Sequence, residues 1–305
     1  MTQDAYAIGA AEKLRGLIES IRVTTRMWFD VLAPLAMILV INGRPPLRET
    51  LLLLGVLVCF HAGQTYFNDV ADVDVDRSSS EDDRRSRALV SHRVDRKEML
   101  LAGTGFVAAS AVLCAFLPWP TILILALALV VVLAYNFPPV RLSGRPLATQ
   151  VFWPAIWTLM YVAAAIAIGP GHWRRGIPFL VFVVMFMGLG ESITQDTRDA
   201  DNDAAGGRRT TVVAYGYGPT AVFAWAVQAL SLVPLVWFVV AAPMPLVVAV
   251  LAPAFVAVWL VVFWREVARL RRGYHKAAAR LTHVGSIYAF TLVNAAVVAG
   301  ALYAR

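Results

Sequence analysis

The sequence predicts an all-α polytopic membrane protein with nine transmembrane helices. Three observations predict it. Hydrophobic residues make up 59% of the 305 residues and charged residues 15%, against about 45–50% and about 25% in soluble domains. Nine apolar runs are long enough to cross a hydrocarbon core of roughly 30 Å. The basic residues between these runs are unevenly shared: of 27 Lys and Arg, only Arg44, Arg48, Arg174, Arg175 and Arg305 fall on one side. Lys and Arg are retained on the cytoplasmic side, which puts the N-terminus and the even-numbered loops in the cytoplasm.

Residues 1–26 read as a cytoplasmic N-terminal segment. Its first 25 residues lack the continuous apolar core of a cleavable signal. Leu14, Leu17, Ile18 and Ile21 recur at helical spacing, with Lys13, Arg15, Glu19 and Arg22 on the other faces. The pattern fits an interfacial helix on the cytoplasmic leaflet, or a solvated helix packed on a loop. Residues 27–305 read as one nine-helix membrane domain, since no Gly/Ser linker divides it. The spans lie near 27–43, 50–68, 99–117, 120–137, 147–168, 177–195, 218–240, 243–263 and 281–303. Proline-containing turns at 118–120 and 241–245 separate the third span from the fourth and the seventh from the eighth. The large polar loops are 69–98, 196–217 and 264–280, all on the predicted cytoplasmic side. The net charge of +7 suits anionic lipid and anionic substrates. Nucleic acid is excluded as a partner, because the basic residues flank spans instead of forming one face of a module. Cys59 and Cys114 fall inside spans and read as packing residues.

Two carboxylate-rich stretches close membrane-length segments, where charge is costly and seldom kept without a function. The first, Asn68 to Arg77, ends the second span, and the second, Asp196 to Asp203, ends the sixth. Their matching positions hint at a duplicated four-helix unit with one span added. On a helix, Asn68, Asp72 and Asp76 share a face, and Asp69 lies one step round. Asp196, Asp199 and Asp203 share a face too, whereas Asp74 and Asp201 point elsewhere. Like charges in such rows repel unless a cation lies among them. Oxygen-only donors favour Mg²⁺, which takes one or two carboxylates together with substrate phosphate oxygens. Zn²⁺ is disfavoured, because no His or Cys accompanies the rows.

Guanidinium groups for a phosphate are at hand: Arg77, Arg84, Arg85, Arg87 and Arg93 follow the first stretch, and Arg198, Arg208 and Arg209 lie in or after the second. Arg141 and Arg145 occupy loop four. Arg87, Arg141 and Arg209 are favoured for phosphate. Polar residues at membrane depth include Asp30, Gln64, Gln150, Glu191, Ser192, Gln195 and Asn294. Gln64 and Gln195 are candidates to touch a diphosphate or to cross-link helices. Glu191 is a candidate general base, or the partner of an Arg.

The two stretches resemble the signature motifs of the UbiA superfamily of intramembrane prenyltransferases. Asn68, Asp69, Asp72 and Asp76 match N-D-x-x-D-x-x-x-D, and Asp196, Asp199 and Asp203 match D-x-x-D-x-x-x-D. A tail of small residues with Arg and Thr follows, Gly206 to Thr211, and then a Gly near Gly216 or Gly218. Tyr135 to Leu142 is similar to the family's Y-S-x-P-P-x-R-L. The resemblance implies nine helices around a central cavity, and makes 27–305 the catalytic domain. It implies Mg²⁺ held by both motifs, with Asp72 and Asp199 as catalytic carboxylates, and a prenyl diphosphate as donor. Ionisation would give an allylic cation that an aromatic or other hydrophobic acceptor captures. Cations of this kind need shielding from water and are steadied by aromatic faces. Tyr66, Phe67, Tyr135, Trp153, Trp157, Phe182 and Phe186 are the candidate rings, with Tyr135 favoured by its place in the matched loop.

The sequence departs from the family after the first motif, where Arg87-Ala88-Leu89-Val90-Ser91-His92 lacks the Pro and Gly of R-P-L-x-S-G. Two further reactions are known of proteins similar to this one: intramolecular capture of the cation by a terpene cyclase, and phosphoribosyl transfer to a polyprenyl phosphate. A cation transporter is disfavoured, since both acidic rows lie at one surface and transporter sites lie near the midplane.

Overall fold

The structure, a computed structural model, describes residues 9–21, 28–77, 87–169, 173–242, 244–273 and 276–303. The 26/27 boundary, Arg22, Arg84, Arg85, Arg305 and the side chains of Asp30 and Arg175 lie outside the described residues. Among those described, the secondary structure is helical, with no strand.

The helices are α1 (Ala10–Ser20), α2 (Trp28–Ile41), α3 (Leu47–Asp76), α4 (Arg96–Cys114), α5 (Pro120–Asn136) and α6 (Ala148–Ala167). Then come α7 (Trp173–Val183), a π-helical segment Val184–Glu191, and α8 (Ser192–Ala205), which join into one span. A short α9 (Thr211–Tyr215) precedes α10 (Tyr217–Leu230), α11 (Leu232–Ala241), α12 (Leu246–Leu270) and α13 (Lys276–Tyr303). Local chemistry sets several of their starts. Pro120 opens α5 at a position that needs no N–H donor. Asp95 caps α4 in a capping box with Glu98. Gly216, at φ 85°, makes the turn between α9 and α10 that other residues rarely adopt.

Seven helical segments are long and apolar enough to cross a membrane, and two apolar helices, Val31–Ile41 and Pro120–Asn136, are shorter. The nine apolar runs are thus all helical, but the described residues give seven full-length spans. Both motif-bearing spans overrun their predicted ends. Leu47–Asp76 and Gly176–Ala205 each run 30 residues, because the carboxylate rows continue the helix instead of ending it.

Sequential helices pack as neighbours, and α2 also packs on α13, so the first and last segments meet. The core is rich in aromatic rings. Phe182 and Phe186 stack around Phe290, with ring centroids 6.1 and 6.2 Å away, and all three are fully buried. Trp157 meets the same ring edge-on at 5.9 Å. The outer faces carry exposed apolar side chains such as Leu51, Leu101, Val130, Val240 and Val258, as lipid contact requires.

The N-terminal helix splits its apolar stripe. Leu14 and Ile18 are exposed, whereas Leu17 and Ile21 pack on Tyr66, Ala88, Leu89 and Val94. Tyr66 Oη donates to the Leu17 carbonyl at 3.0 Å. Lys13 Nζ lies 2.5 Å from Glu98 Oε1, and Arg93 pairs with Glu19. The Arg93 contact holds the Glu19 carboxyl below the usual carboxylate range.

Candidate active site

The second half of α3, the end of α5, the 141–145 turn, the start of α6, α8 and the 208–210 turn converge at one end of the bundle. They line one polar, partly open cavity. Asn68 and Asp72 face it from α3, and Asp196, Asp199 and Asp203 face it from α8. Gln64, Gln195, Arg87 and Tyr135 line it as well. The predicted one-face geometry therefore holds for five of the seven motif residues.

The remaining predicted residues are placed differently. Asp69 and Asp76 do not line the cavity; they flank Arg87, whose Nη1 is 3.4 Å from Asp69 and whose Nε is 3.5 Å from Asp76. Arg77 turns outward to exposed Asp74 at 3.0 Å, away from any phosphate position. Arg141 is exposed and donates to the Ala71 carbonyl at 3.1 Å, tying loop four to α3. Arg209 is exposed too, and its backbone N–H donates to Gly144 O at 3.1 Å. Its neighbour Arg208 enters the cavity instead. Glu191 is buried behind the wall beside His283, away from the cavity where a general base would act. Of the candidate rings only Tyr135 and Trp153 line the cavity, joined by Phe152, which stacks on Tyr135 at 4.1 Å. Tyr66, Phe67, Trp157, Phe182 and Phe186 are packing residues.

Arginines thread both acidic rows. Arg208 pairs with Asp72 from the first row and reaches Asp203 of the second at 3.6 Å. Arg198 forks onto Asp199 with contacts of 2.7 and 2.5 Å. Asn68 Nδ2 donates to Asp72 at 2.9 Å, which orients that carboxylate. Asp196 accepts from Thr149 at 3.1 Å and from Gln150 at 3.4 Å, and Gln150 is itself fixed by the Thr211 hydroxyl at 2.5 Å. Burial opposes the charge on Arg87, but Asp76, Asp69, Asp199 and Asp72 outweigh it and hold its pKa above the ordinary value. The same balance, with Asp72 and Asp203 as the counter-charges, raises that of Arg208. Both guanidinium groups stay cationic through the accessible pH range.

Four buried polar atoms on this wall lack a hydrogen-bond partner among the described residues: Asn136 Oδ1, Ser143 Oγ, Thr210 Oγ1 and Arg208 Nε. Buried polar groups are seldom left unpaired, since each costs about 1–3 kcal/mol. Three of the four are donors, so the wall suits a polyanion. Among the described residues, no three His, Cys, Asp or Glu side chains gather tightly enough to cage a metal unaided. The oxygen donors of Asn68, Asp72, Asp196, Asp199 and Asp203 nevertheless fit Mg²⁺ in kind, because that ion completes its shell with water and substrate phosphate. Sequence reasoning gave no role to Ser143 or to the cavity-lining His61, and named Asn136 and Thr210 only within family-like stretches. It named Arg198 and Arg208 only as loop cations.

The fold and this acid-rich cavity define an integral membrane protein whose helical bundle carries a polar, carboxylate-lined cavity. The chain belongs to the UbiA prenyltransferase family, which it matches over residues 31–300. It is 28% identical over 185 residues to a digeranylgeranylglyceryl phosphate synthase from Methanoculleus marisnigri. That match covers 58% of this chain and 61% of the relative, so this chain spans somewhat under two thirds of that protein's length. Solved structures share the fold. A UbiA homologue from Archaeoglobus fulgidus bound to GPP and Mg²⁺ aligns with a TM-score of 0.70 at 18% identity, covering 93% of this chain and 99% of that one. The apo structure of a UbiA homologue from Aeropyrum pernix aligns at 0.66 and 20% identity, covering 92% and 98%.

Proposed function

We propose that this protein transfers a prenyl group from a prenyl diphosphate to an aromatic or lipid-like acceptor, with Mg²⁺, and releases diphosphate. One observation carries the reading: a cavity lined by carboxylates and arginines and an apolar one lie along the same two helices. On α3, Gln64, Asn68 and Asp72 line the polar cavity, and Leu53, Val56, Leu57 and Phe60 line an open apolar one. On α6, Phe152 and Trp153 line the first, and Ile156, Leu159 and Met160 the second. A charged head and a hydrocarbon tail is the ligand shape that this pair accepts. The relatives bound to GPP or DMAPP with Mg²⁺ support the donor, and the synthase-like relative supports a lipid-like acceptor.

In this reading Asp72, Asp199 and Asp203 hold Mg²⁺, which when bound neutralises charge on the leaving diphosphate. Arg87, Arg198 and Arg208 supply further positive charge, and the Ser143 and Thr210 hydroxyls donate to phosphate oxygens. Tyr135, Phe152 and Trp153 keep water from the donor's reacting carbon and turn their faces to a developing cation. The motif-bearing end faces the cytoplasm, as the Lys and Arg bias requires, and 27–305 is the catalytic domain.

The test is to give the purified protein Mg²⁺ and prenyl diphosphates of increasing length, with and without aromatic or glycerolipid acceptors, and to identify products by mass. A prenylated acceptor supports the proposal. Hydrocarbon or alcohol formed without acceptor replaces it with cyclisation. Absence of diphosphate release from every donor rejects both. Asp72→Ala and Asp199→Ala are each expected to abolish turnover, and activity retained in either removes the two-row metal site.

A further inference from the structure

Behind the cavity wall lies a buried cluster that the proposed chemistry does not use. Glu191 closes the π-helical segment, and His283 stands on α13. His283 Nδ1 lies 2.8 Å from Glu191 Oε1, with side chains 4% and 7% exposed. On the other edge of the ring, His283 Nε2 lies 2.7 Å from Arg198 Nη1. The remaining contacts of that guanidinium fork onto Asp199, Nε to Oδ1 at 2.7 Å and Nη2 to Oδ2 at 2.5 Å. A continuous chain of polar contacts thus runs from Glu191 through His283 and Arg198 to Asp199, which faces the cavity.

The chemistry fixes each role. A guanidinium can only donate, so His283 Nε2 accepts. The ring hydrogen then sits on Nδ1, at ion-pair distance from the Glu191 carboxylate but not aligned with it as a hydrogen bond. A carboxylate that sets a histidine tautomer is the arrangement found behind metal-bound histidines; here the imidazole grips an arginine instead. With one edge held by His283, the guanidinium plane has a single orientation, and that plane sets how Asp199 meets the cavity.

We propose that His283 is a positioning residue for the second acidic row: fixed by Glu191, it holds Arg198, and Arg198 presents the Asp199 carboxylate. The inference rests on reading the cavity as a site for a divalent cation and diphosphate. The test uses the full-length protein in detergent and measures Mn²⁺ binding by electron paramagnetic resonance with inorganic diphosphate present. His283→Phe is expected to weaken Mn²⁺ binding about tenfold or more, the range for residues behind a metal ligand. His283→Gln, which keeps an acceptor, is expected to restore most of it. In an Asp199→Asn background His283→Phe is expected to add nothing, as residues acting through one another are not additive. In turnover, the Mg²⁺ requirement rises while kcat changes little. If His283→Phe does not fold, Glu191→Met is the second variant and is expected to weaken Mn²⁺ binding several-fold, since it removes the group that sets the tautomer. The proposal is overturned if the folded variant binds Mn²⁺ like wild type, if His283→Gln is as impaired as His283→Phe, or if the His283→Phe loss persists in full beside Asp199→Asn. Absence of Mn²⁺ binding by wild type would instead remove the cavity reading on which the proposal stands.

Discussion

Arg208 joins the two acidic rows. It pairs with Asp72 of one helix and Asp203 of the other, and its Nε is buried with no partner among the described residues. Truncating one partner of a buried, hydrogen-bonded charge pair costs about 2–5 kcal/mol. Arg208→Gln is therefore expected to lower kcat/KM by about 100-fold or more, while Arg209→Gln stays within about threefold of wild type. Turnover with the preferred donor checks both, and equal losses would reject the assignment. This pair also marks how far residue roles could be read from the sequence. Helical spacing placed Asn68, Asp72, Asp196, Asp199 and Asp203 on the cavity, because one helix fixes their relative directions. It could not say which of two adjacent loop arginines turns inward. Nor could it foresee that Arg87 returns to cover Asp69 and Asp76, or that His283, 84 positions after Asp199 in the chain, comes to lie behind it.

At the scale of elements, hydropathy located the helices but misjudged their ends. Charged rows at the ends of the second and sixth spans were read as helical, and their side chains find arginines and hydrogen bonds along helices that continue to Asp76 and Ala205. The π-helical segment Val184–Glu191 was not read from the sequence; within it Gly188 lies against Pro154 and Gly190 against Gln228, too close for a Cβ. The role of α1 was open between lipid surface and loop packing, and its split stripe serves the second while leaving Leu14 and Ile18 exposed. A Cβ on Gly16 would sit 3.2 Å from Val94 and 3.3 Å from Ala88, the residue after Arg87. Overpacking of this kind costs about 1–3 kcal/mol. Gly16→Leu is thus expected to lower Tm by a few degrees and to raise the donor KM several-fold, as Arg87 shifts from Asp69 and Asp76. Thermal melts and initial rates check this, and an unchanged KM would show that α1 does not brace the site.

At the scale of the whole molecule, the bundle returns on itself where α2 meets α13. The apolar composition made that architecture legible; among the described residues seven helical segments reach full span length, and Pro120–Asn136 is shorter. Both acidic rows ride on 30-residue helical segments. At 1.5 Å per residue each is about 45 Å long, against a hydrocarbon layer of roughly 30 Å. Rods of that length cannot shorten when the surrounding lipid thins or thickens; they tilt. Tilting two rods by different amounts changes the gap between their tips, which is where Asp72 and Asp203 share Arg208. Reconstitution into short-, medium- and long-chain phosphatidylcholine is therefore expected to give a maximum of turnover at one thickness, with the donor KM rising on either side. A KM indifferent to acyl length would show that the tips move together. The enzyme's appetite for its donor would then be gauged, in part, by the membrane that supplies it.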